Sequence, residues 1–496
     1  MIATAVEEPV RTVIPAPPVT WHRRRQAWPS VATAAALGTA TVAGGLAAAV
    51  GLWRHDVANV SLMHGWLPIA VHTLSIVTVA GAVGRRSRRW VILRLPVALA
   101  AGVALALWAH RFVGSAGFVG DSAPAALWFW IGLSGSAAAI AAVGWPGLRW
   151  GQHAVSGLAV PLCVVSAALV LNGWVGYFPT VLTVWTQVTA GPLPNQADWA
   201  AVTAMQRAGA VPAKGVVVPV TIDARASGFK HRAELVYLPP AWFASSPPPR
   251  LPVVIMIGGE FNTPSDWLRA GDAVSAADAL AAAHGGNAPV LIFADSGGAF
   301  NIDTECVNGP RGNAADHLTK DVVPFMVANF GVSGDRAHWG VAGFSAGGTC
   351  AVDLTVMHPD MFSAFADIAG DLGPNSGTTA QTIDRLYGGS LDAWSRFDPA
   401  TVIIRHGPYR GVFGSFIVVA GQDGAANTLC RIGRTHDIRC AVTPVPGQHD
   451  WPFAGRAFAK ILPWLARQLG TPASPMVRVP STGLGLSVHG GVTAAG

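Results

Sequence analysis

Charge is what this chain has least of. Asp, Glu, Lys and Arg make up 12% of its 496 residues, against roughly 25% in an ordinary soluble protein, which excludes a protein bathed throughout in water. Lysine is scarce, and the formal net charge of +6 comes mainly from arginine. No stripe of basic residues interleaved with aromatics occurs, so nucleic acid is set aside as a partner. There are only five cysteines, and no cysteine or histidine cluster has metal-ligand spacing. Neither a metal nor a cofactor is expected. What is abundant is apolar: 51% of the residues are hydrophobic. Part of the chain therefore belongs in lipid.

That part lies before about residue 180. Five apolar stretches are separable, Val31 to Leu52, Leu67 to Val83, Val91 to Ala109, Ala125 to Val143 and Ala154 to Leu171, each about the length that crosses a hydrocarbon core. Trp28, Trp53, Trp66, Trp90, Trp108, Trp128, Trp145 and Trp174 stand at or near their ends, where an indole keeps its ring in the apolar layer and its N–H at the headgroups. The second stretch is short and contains Pro68 and His72, which leaves a four-span count open. Arg23, Arg24 and Arg25 precede the first stretch, and Arg85, Arg86, Arg88 and Arg89 follow the second, whereas the alternate loops carry only Arg54 and Arg111. The positive-inside rule then places the N-terminus in the cytoplasm and, after an odd number of spans, everything beyond about Asn172 outside. His72 and Arg94 lie within spans and raise a lipid transporter as an alternative. A lone histidine satisfied by a neighbouring helix and an arginine near a cytoplasmic end account for them without transport. Small residues are frequent along these stretches, as close helix packing in a compact anchor requires.

Residues 1–28 thus read as a cytoplasmic segment and 29–175 as an all-α transmembrane bundle of about five spans. Residues 176–213 read as a linker with a short amphipathic helix, Ala197 to Arg207, lying near the membrane surface. From residue 214 the periodicity changes to short Val- and Ile-rich runs, at 214–222, 233–239, 251–259, 288–296, 338–345, 364–370, 415–423 and 439–447. Stretches of helical spacing separate most of them, such as 265–283, 314–329, 348–357 and 453–469. This alternation predicts a mostly parallel eight-stranded sheet with helices on both faces over 214–470. The Pro-, Ser- and Gly-rich residues 471–496 read as a flexible tail.

Ser345 stands in G-F-S-A-G at the end of the fifth run. A nucleophilic serine needs a sharp strand-to-helix turn with no bulk two residues to either side, which Gly343 and Gly347 supply, and the turn aims the N–H of Ala346 at a developing oxyanion. In an α/β-hydrolase the acid and then the histidine follow the serine, each after a late strand. Asp423 ends the seventh run and His449 follows the eighth. Asp423 is the preferred acid over Asp367, Asp371, Asp437 and Asp450. The second oxyanion donor is expected in the loop after the third run, from the N–H of Glu260 or Phe261 beyond Gly258 and Gly259. A charged Glu260 there would oppose an oxyanion, so its side chain is expected to point away or to meet a substrate hydroxyl. His317, His338, His358 and His436 read as structural.

In order along the chain, IMIGGEFNTPSDW, HLTKDVVPFMVANF, GVAGFSAGGTCAVDLTVMHPDMFSAFADIAGDLGP and GQHDWPFAGRAFAKILPWLARQL resemble the esterase branch of the α/β-hydrolases, which includes S-formylglutathione hydrolase (esterase D) and the antigen 85 mycolyltransferases. The resemblance covers roughly half the chain, and the apolar N-terminal half is similar to that of membrane-anchored hydrolases of actinobacteria. It implies hydrolysis of acyl esters, or acyl transfer to a sugar or lipid alcohol, through an acyl-serine. The glycine loop is not of the H-G-G type, and the acid position reads Q-D rather than the glutamate of the mycolyltransferases. The expectation is an integral inner-membrane serine hydrolase or acyltransferase with its catalytic domain at the cell envelope. A catalytically silent binding module on the same anchor is the other alternative. Cys163 lies in a span. Of the four cysteines placed outside, where disulfides persist, Cys430 and Cys440 are the preferred pair, with connectivity otherwise open.

Overall fold

The computed structural model describes residues 59–473 apart from 85, 117–122, 145–149, 190–192, 300 and 301. The expected span Val31 to Leu52, the N-terminal segment and the tail beyond residue 473 lie outside the described residues.

The apolar N-terminal part consists of α1 (Trp66–Gly84), α2 (Arg88–Leu93), α3 (Leu95–Ala116), α4 (Ala125–Gly144) and α5 (Trp150–Val175). Taking α2 and α3 as one span from Arg88 to Val113, four helices among the described residues are long and apolar enough to cross a membrane. Pro68 sits in the first turn of α1, where its missing N–H costs no helical hydrogen bond. His72 stacks on Trp130 of α4 with ring centroids 4.8 Å apart. Arg94 interrupts α2 and α3, and its guanidinium donates to the Val143 carbonyl at 3.2 Å. Helices α3 and α4 meet through glycine: a side chain at Gly102 would collide with Ser136 and the Gly132 carbonyl, and one at Gly135 would meet Leu105 at 2.9 Å. Without a hydrophobic drive between helices in lipid, such close approach supplies the packing.

Two short helices follow, α6 (Val181–Val188) and α7 (Trp199–Arg207). The stretch expected to be a linker at the membrane surface instead packs on the α/β domain. Val202 of α7 is wholly buried, and the Ala197 N–H donates to the Val217 carbonyl while the Val217 N–H donates to the Asn195 carbonyl, each at 2.9 Å. The apolar face of so short a helix is buried by the nearest core.

That domain holds β1 (Val216–Val220), β2 (Glu234–Leu238), β3 (Val253–Ile257), β4 (Val290–Ala294), β5 (Trp339–Phe344), β6 (Ala364–Ile368), β7 (Phe413–Val419) and β8 (Arg439–Val445). They form one eight-stranded sheet in the order 1-2-4-3-5-6-7-8. The β1–β2 and β2–β4 pairs are antiparallel and all the others parallel. Seven strands fall inside the apolar runs, and β7 begins two residues before its run at 415–423. The central strands are buried on both faces, which is why they are continuous in Val, Ile and Phe rather than alternating with polar residues. Alternate β3 residues divide between the two cores, Val253, Ile255 and Ile257 on one and Val254 and Met256 on the other.

The helices that position the site are α8 (Asp266–Arg269), α9 (Ala273–Ala283), α10 (Val323–Phe330), α11 (Ala346–Met357), α12 (Gly424–Arg434) and α13 (Trp451–Gln468). Helices α9 and α13 cover one face of the sheet, α10 and α11 the other. The segment 379–406, without an assignment from periodicity, forms three short helices. Disulfides join Cys430 to Cys440 and Cys306 to Cys350, while Cys163 is unpaired and buried in α5.

The glycine contact makes the bundle sensitive at a chosen position. Gly102→Leu is expected to destabilise it by at least about 1–3 kcal/mol, the range for overpacking, read as a lower unfolding midpoint in detergent micelles. Gly157→Leu, at an α5 glycine with open space around it, should leave that midpoint little changed.

Candidate active site

Ser345 occupies the turn between β5 and α11 at φ 60° and ψ −126°, a conformation that non-glycine residues adopt only when their surroundings enforce it. The enforcement is steric and hydrogen-bonded. The Ser345 N–H donates to the Ile368 carbonyl at 2.9 Å. Any side chain at Gly343 would strike the Gly347 carbonyl, and any at Gly347 would strike the carbonyls of Ile257 and Gly258. The glycines read from the sequence are thus required by close approach of α11 to the ends of β3 and β5.

The imidazole of His449, in the turn between β8 and α13, lies with Nε2 2.9 Å from Ser345 Oγ. Its ring rests on Phe344 with centroids 4.9 Å apart. His449 is exposed on one side, yet the protein around it desolvates the ring and lowers its pKa below the usual histidine value, against the opposing charges of Asp371 and Asp450. A neutral imbalance of this kind suits a proton acceptor.

Asp423, the expected acid, is not brought to that ring. It begins α12, and its carboxylate accepts from the Asn427 side-chain amide at 2.7 Å. The carboxylates that bear on His449 are those of Asp371 and Asp450. Asp450 is engaged as the cap of α13, accepting from the Phe453 N–H at 2.8 Å. Asp371 follows β6 and is held at its backbone, whose N–H donates to Thr349 Oγ1 of α11 at 2.9 Å. The difference from the sequence reading arises because strand order places a loop at the correct edge but does not set the direction of its side chains.

The loop after β3 abuts the nucleophile: a Cβ at Gly259 would lie 3.0 Å from Ser345 Cβ. Phe261 takes a left-handed φ of 64°. Ala346 begins α11, where the first N–H groups have no partner within the helix. Gly258, Gly259, Glu260, Phe261 and Ala346 together line a small pocket with Arg232, Asp303 and Glu305. All the expected oxyanion residues therefore face one space. Among them, the surroundings of Glu260 favour its protonated form. Burial, and then repulsion from Asp303, push its carboxyl up to about 8, with Arg311 acting the other way. Burial likewise raises Asp303, and burial followed by Asp303 raises Glu305 well above the carboxylate range.

Several supporting residues carried no local signal. Arg232 clasps Asp295 through Nε and Nη2, and Nη2 also donates to the Asn262 carbonyl at 2.7 Å. This braces the loop beside Ser345. Burial works to raise Asp295, but the Arg232 donors prevail and hold it below the usual range. The Cys306–Cys350 bridge ties the Glu305 segment to α11. Behind Arg232, Glu234, His231 and His317 gather at metal-ligating distances, a grouping invisible in their spacing. Both His231 nitrogens face backbone carbonyls, at 2.9 and 2.7 Å, and its ring is stacked on His317 with centroids 4.3 Å apart. Two stacked rings cannot aim their in-plane lone pairs at one ion, so the donor set fits a hydrogen-bonded network rather than a metal.

Residues 230–410 match the family model described as "Putative esterase". An uncharacterized protein of Corynebacterium glutamicum is 31% identical over 265 residues, which span 51% of this chain and 62% of that protein's length. Among solved structures, an S-formylglutathione hydrolase from Agrobacterium tumefaciens superposes over 52% of this chain and 97% of its own, with 17% identity and a TM-score of 0.43. Mycobacterium tuberculosis MPT51 superposes over 50% and 99%, with 17% identity and a TM-score of 0.36. The stretch 230–410, with the strand and turn that carry Ser345, is thus similar to the putative-esterase family.

Proposed function

We propose that this protein is a membrane-anchored serine hydrolase or acyltransferase that works through an acyl-Ser345 intermediate. The observation that carries the reading is the 2.9 Å approach of His449 Nε2 to the hydroxyl of a serine on a strained turn. Ser345 Oγ attacks the ester carbonyl while His449 takes its proton. The negative charge that develops on the carbonyl oxygen meets the N–H of Ala346 and those of the Glu260–Phe261 loop. Collapse expels the alkoxide, which takes the proton from His449 and leaves the acyl group on Ser345. Water or an alcohol, deprotonated by the same imidazole, then releases it. With its protonated form favoured, the Glu260 carboxyl does not oppose the oxyanion. The distribution of arginine among the N-terminal loops supports an extracytoplasmic site, and hence an envelope ester as substrate.

Three measurements test this. Fluorophosphonate labelling should vanish in Ser345→Ala, and kcat/KM for a short-chain ester should fall by at least about 10³-fold in both Ser345→Ala and His449→Ala; labelling that persists in Ser345→Ala would sink the assignment. Asp371→Asn is expected to cost more in kcat/KM than Asp423→Asn. A loss in Asp423→Asn as large as that in His449→Ala would show that the turn before α12 closes on the ring once substrate is bound.

The third is the pH profile. His449 acts as a base only when neutral, so activity should fall on acidification with an apparent pKa below the ordinary 6.5. Glu260 ionises near 8 and its anion opposes the oxyanion, so activity should also fall as pH rises through that value. In Glu260→Gln the alkaline limb should disappear and the acid limb stay where it is.

A further inference from the structure

Two contacts join the end of the last membrane span to the loops of the site. Helix α5 ends at Val175, with Trp174 beside it where an indole marks the headgroup layer. The next residue, Gly176, has a left-handed φ of 69°, and a side chain on it would overlap Asp450 and come within 3.2 Å of Pro452. The first residue to leave the membrane is therefore pressed against the neighbour of His449. The residue after it, Tyr177, donates its hydroxyl to the Asp266 carboxylate. That carboxylate also accepts from the Thr263 N–H at 2.6 Å and the Thr263 hydroxyl at 2.9 Å, and so holds the loop that began at Gly258. Both loops of the site rest on Gly176 and Tyr177.

The distance this allows is short. Two residues reach at most about 7 Å, comparable with the roughly 5–8 Å of headgroup region on each side of a bilayer. The surroundings agree. Residues 60–62 pair with 179–181, through Leu62 N–H to the Pro179 carbonyl at 3.0 Å and Val181 N–H to the Val60 carbonyl at 3.1 Å. The start of the first described span and the end of the fourth are thereby bound on one side of the membrane, as four crossings require. Helix α6 follows at once and leaves Leu182, Trp185 and Val188 exposed, the apolar face of a helix lying in the interface. Ile302, which lines the pocket beside the glycine loop, and Leu372, next to the Asp371 whose charge bears on His449, are both exposed, 39% and 46%.

We propose that the mouth of the Ser345–His449 site opens at the bilayer surface and takes its acyl ester from a lipid resident in the adjoining leaflet. This rests on the serine-hydrolase reading above and adds the source of the substrate to it. An ester carbonyl of a membrane lipid lies at headgroup depth, so it meets Ser345 without the lipid's leaving the bilayer, and the exposed Ile302 and Leu372 side chains receive the start of its acyl chain.

The test uses the full chain with Cys163→Ser, reconstituted in vesicles. An environment-sensitive fluorophore on Leu372→Cys should be quenched several-fold more by lipids with a nitroxide on the headgroup than the same fluorophore on Arg250→Cys, at the opposite end of β3. Turnover of a fluorogenic long-chain diacyl lipid should follow its mole fraction in the enzyme's own vesicles, and should fall at least tenfold when the same lipid is offered in separate vesicles. Equal quenching at the two positions, or equal turnover from the two kinds of vesicle, overturns the proposal. Fluorophosphonate labelling of Ser345 keeps the two readings apart. If labelling succeeds and position 372 is unquenched, only the membrane-surface reading falls. If labelling fails, the serine-hydrolase reading falls, and the quenching result still reports the depth of the mouth.

Discussion

The rest of the site depends on one steric constraint, the close approach of α11 to the ends of β3 and β5. The carbonyls of Ile257, Gly258 and Gly347 leave no room for side chains at Gly343 and Gly347. The chain can therefore pass from strand to helix within a single residue, and that residue, Ser345, must take a conformation it would not choose. Its hydroxyl is then lifted out of the sheet toward His449. The same approach brings Gly259 against Ser345, so the glycine loop and the start of α11 border one space. Loosening α11 would at once lose the turn, the donor geometry and the imidazole contact.

The scarcity of charge noted along the chain takes a particular form around this site. Carboxyls are present, but burial works against their ionisation: it raises Glu260, Asp303 and Glu305 beside the pocket and brings Asp367 up to about 7 behind it. Asp353, on the inner side of α11, is buried with neither carboxyl oxygen hydrogen-bonded, and desolvation with repulsion from Asp398 and Asp367 raises it well above the usual value. Asp295 goes the other way, held below the usual range by Arg232 as a full partner. Desolvation without a cation keeps a carboxyl neutral, whereas desolvation with one keeps it charged. Only the second arrangement braces the loop beside Ser345, through the Arg232 bond to the Asn262 carbonyl.

The apolar helices and the α/β domain are not independent modules joined by a tether. Val202 of the intervening segment is buried in the domain core, Tyr177 is bonded to the loop after β3, and Gly176 touches the residue next to His449. Burial of Tyr177 and its charged neighbour Asp266 raise the phenol far above its ordinary range, so it remains a donor at any physiological pH. The segment that leaves α5 is in this sense a wall of the site.

The sequence by itself determined the four long apolar helices from Trp66 onward, all eight strands, the serine turn and the histidine that meets it, because each is written in local terms. Apolar length, Val- and Ile-rich runs and glycines two residues from a serine act on the backbone where they stand. It also placed Cys430 beside Cys440, ten residues apart across one turn. Tertiary structure alone decided what depends on direction and solvent. It turned Asp423 toward Asn427 rather than His449, raised the Glu260 carboxyl by burial, gathered Glu234 with His231 and His317, paired Cys306 with Cys350 across 44 residues, and folded the expected linker onto the domain. Side-chain direction at a strand end and the desolvation of a carboxyl are set by atoms distant in sequence, and periodicity carries no record of them.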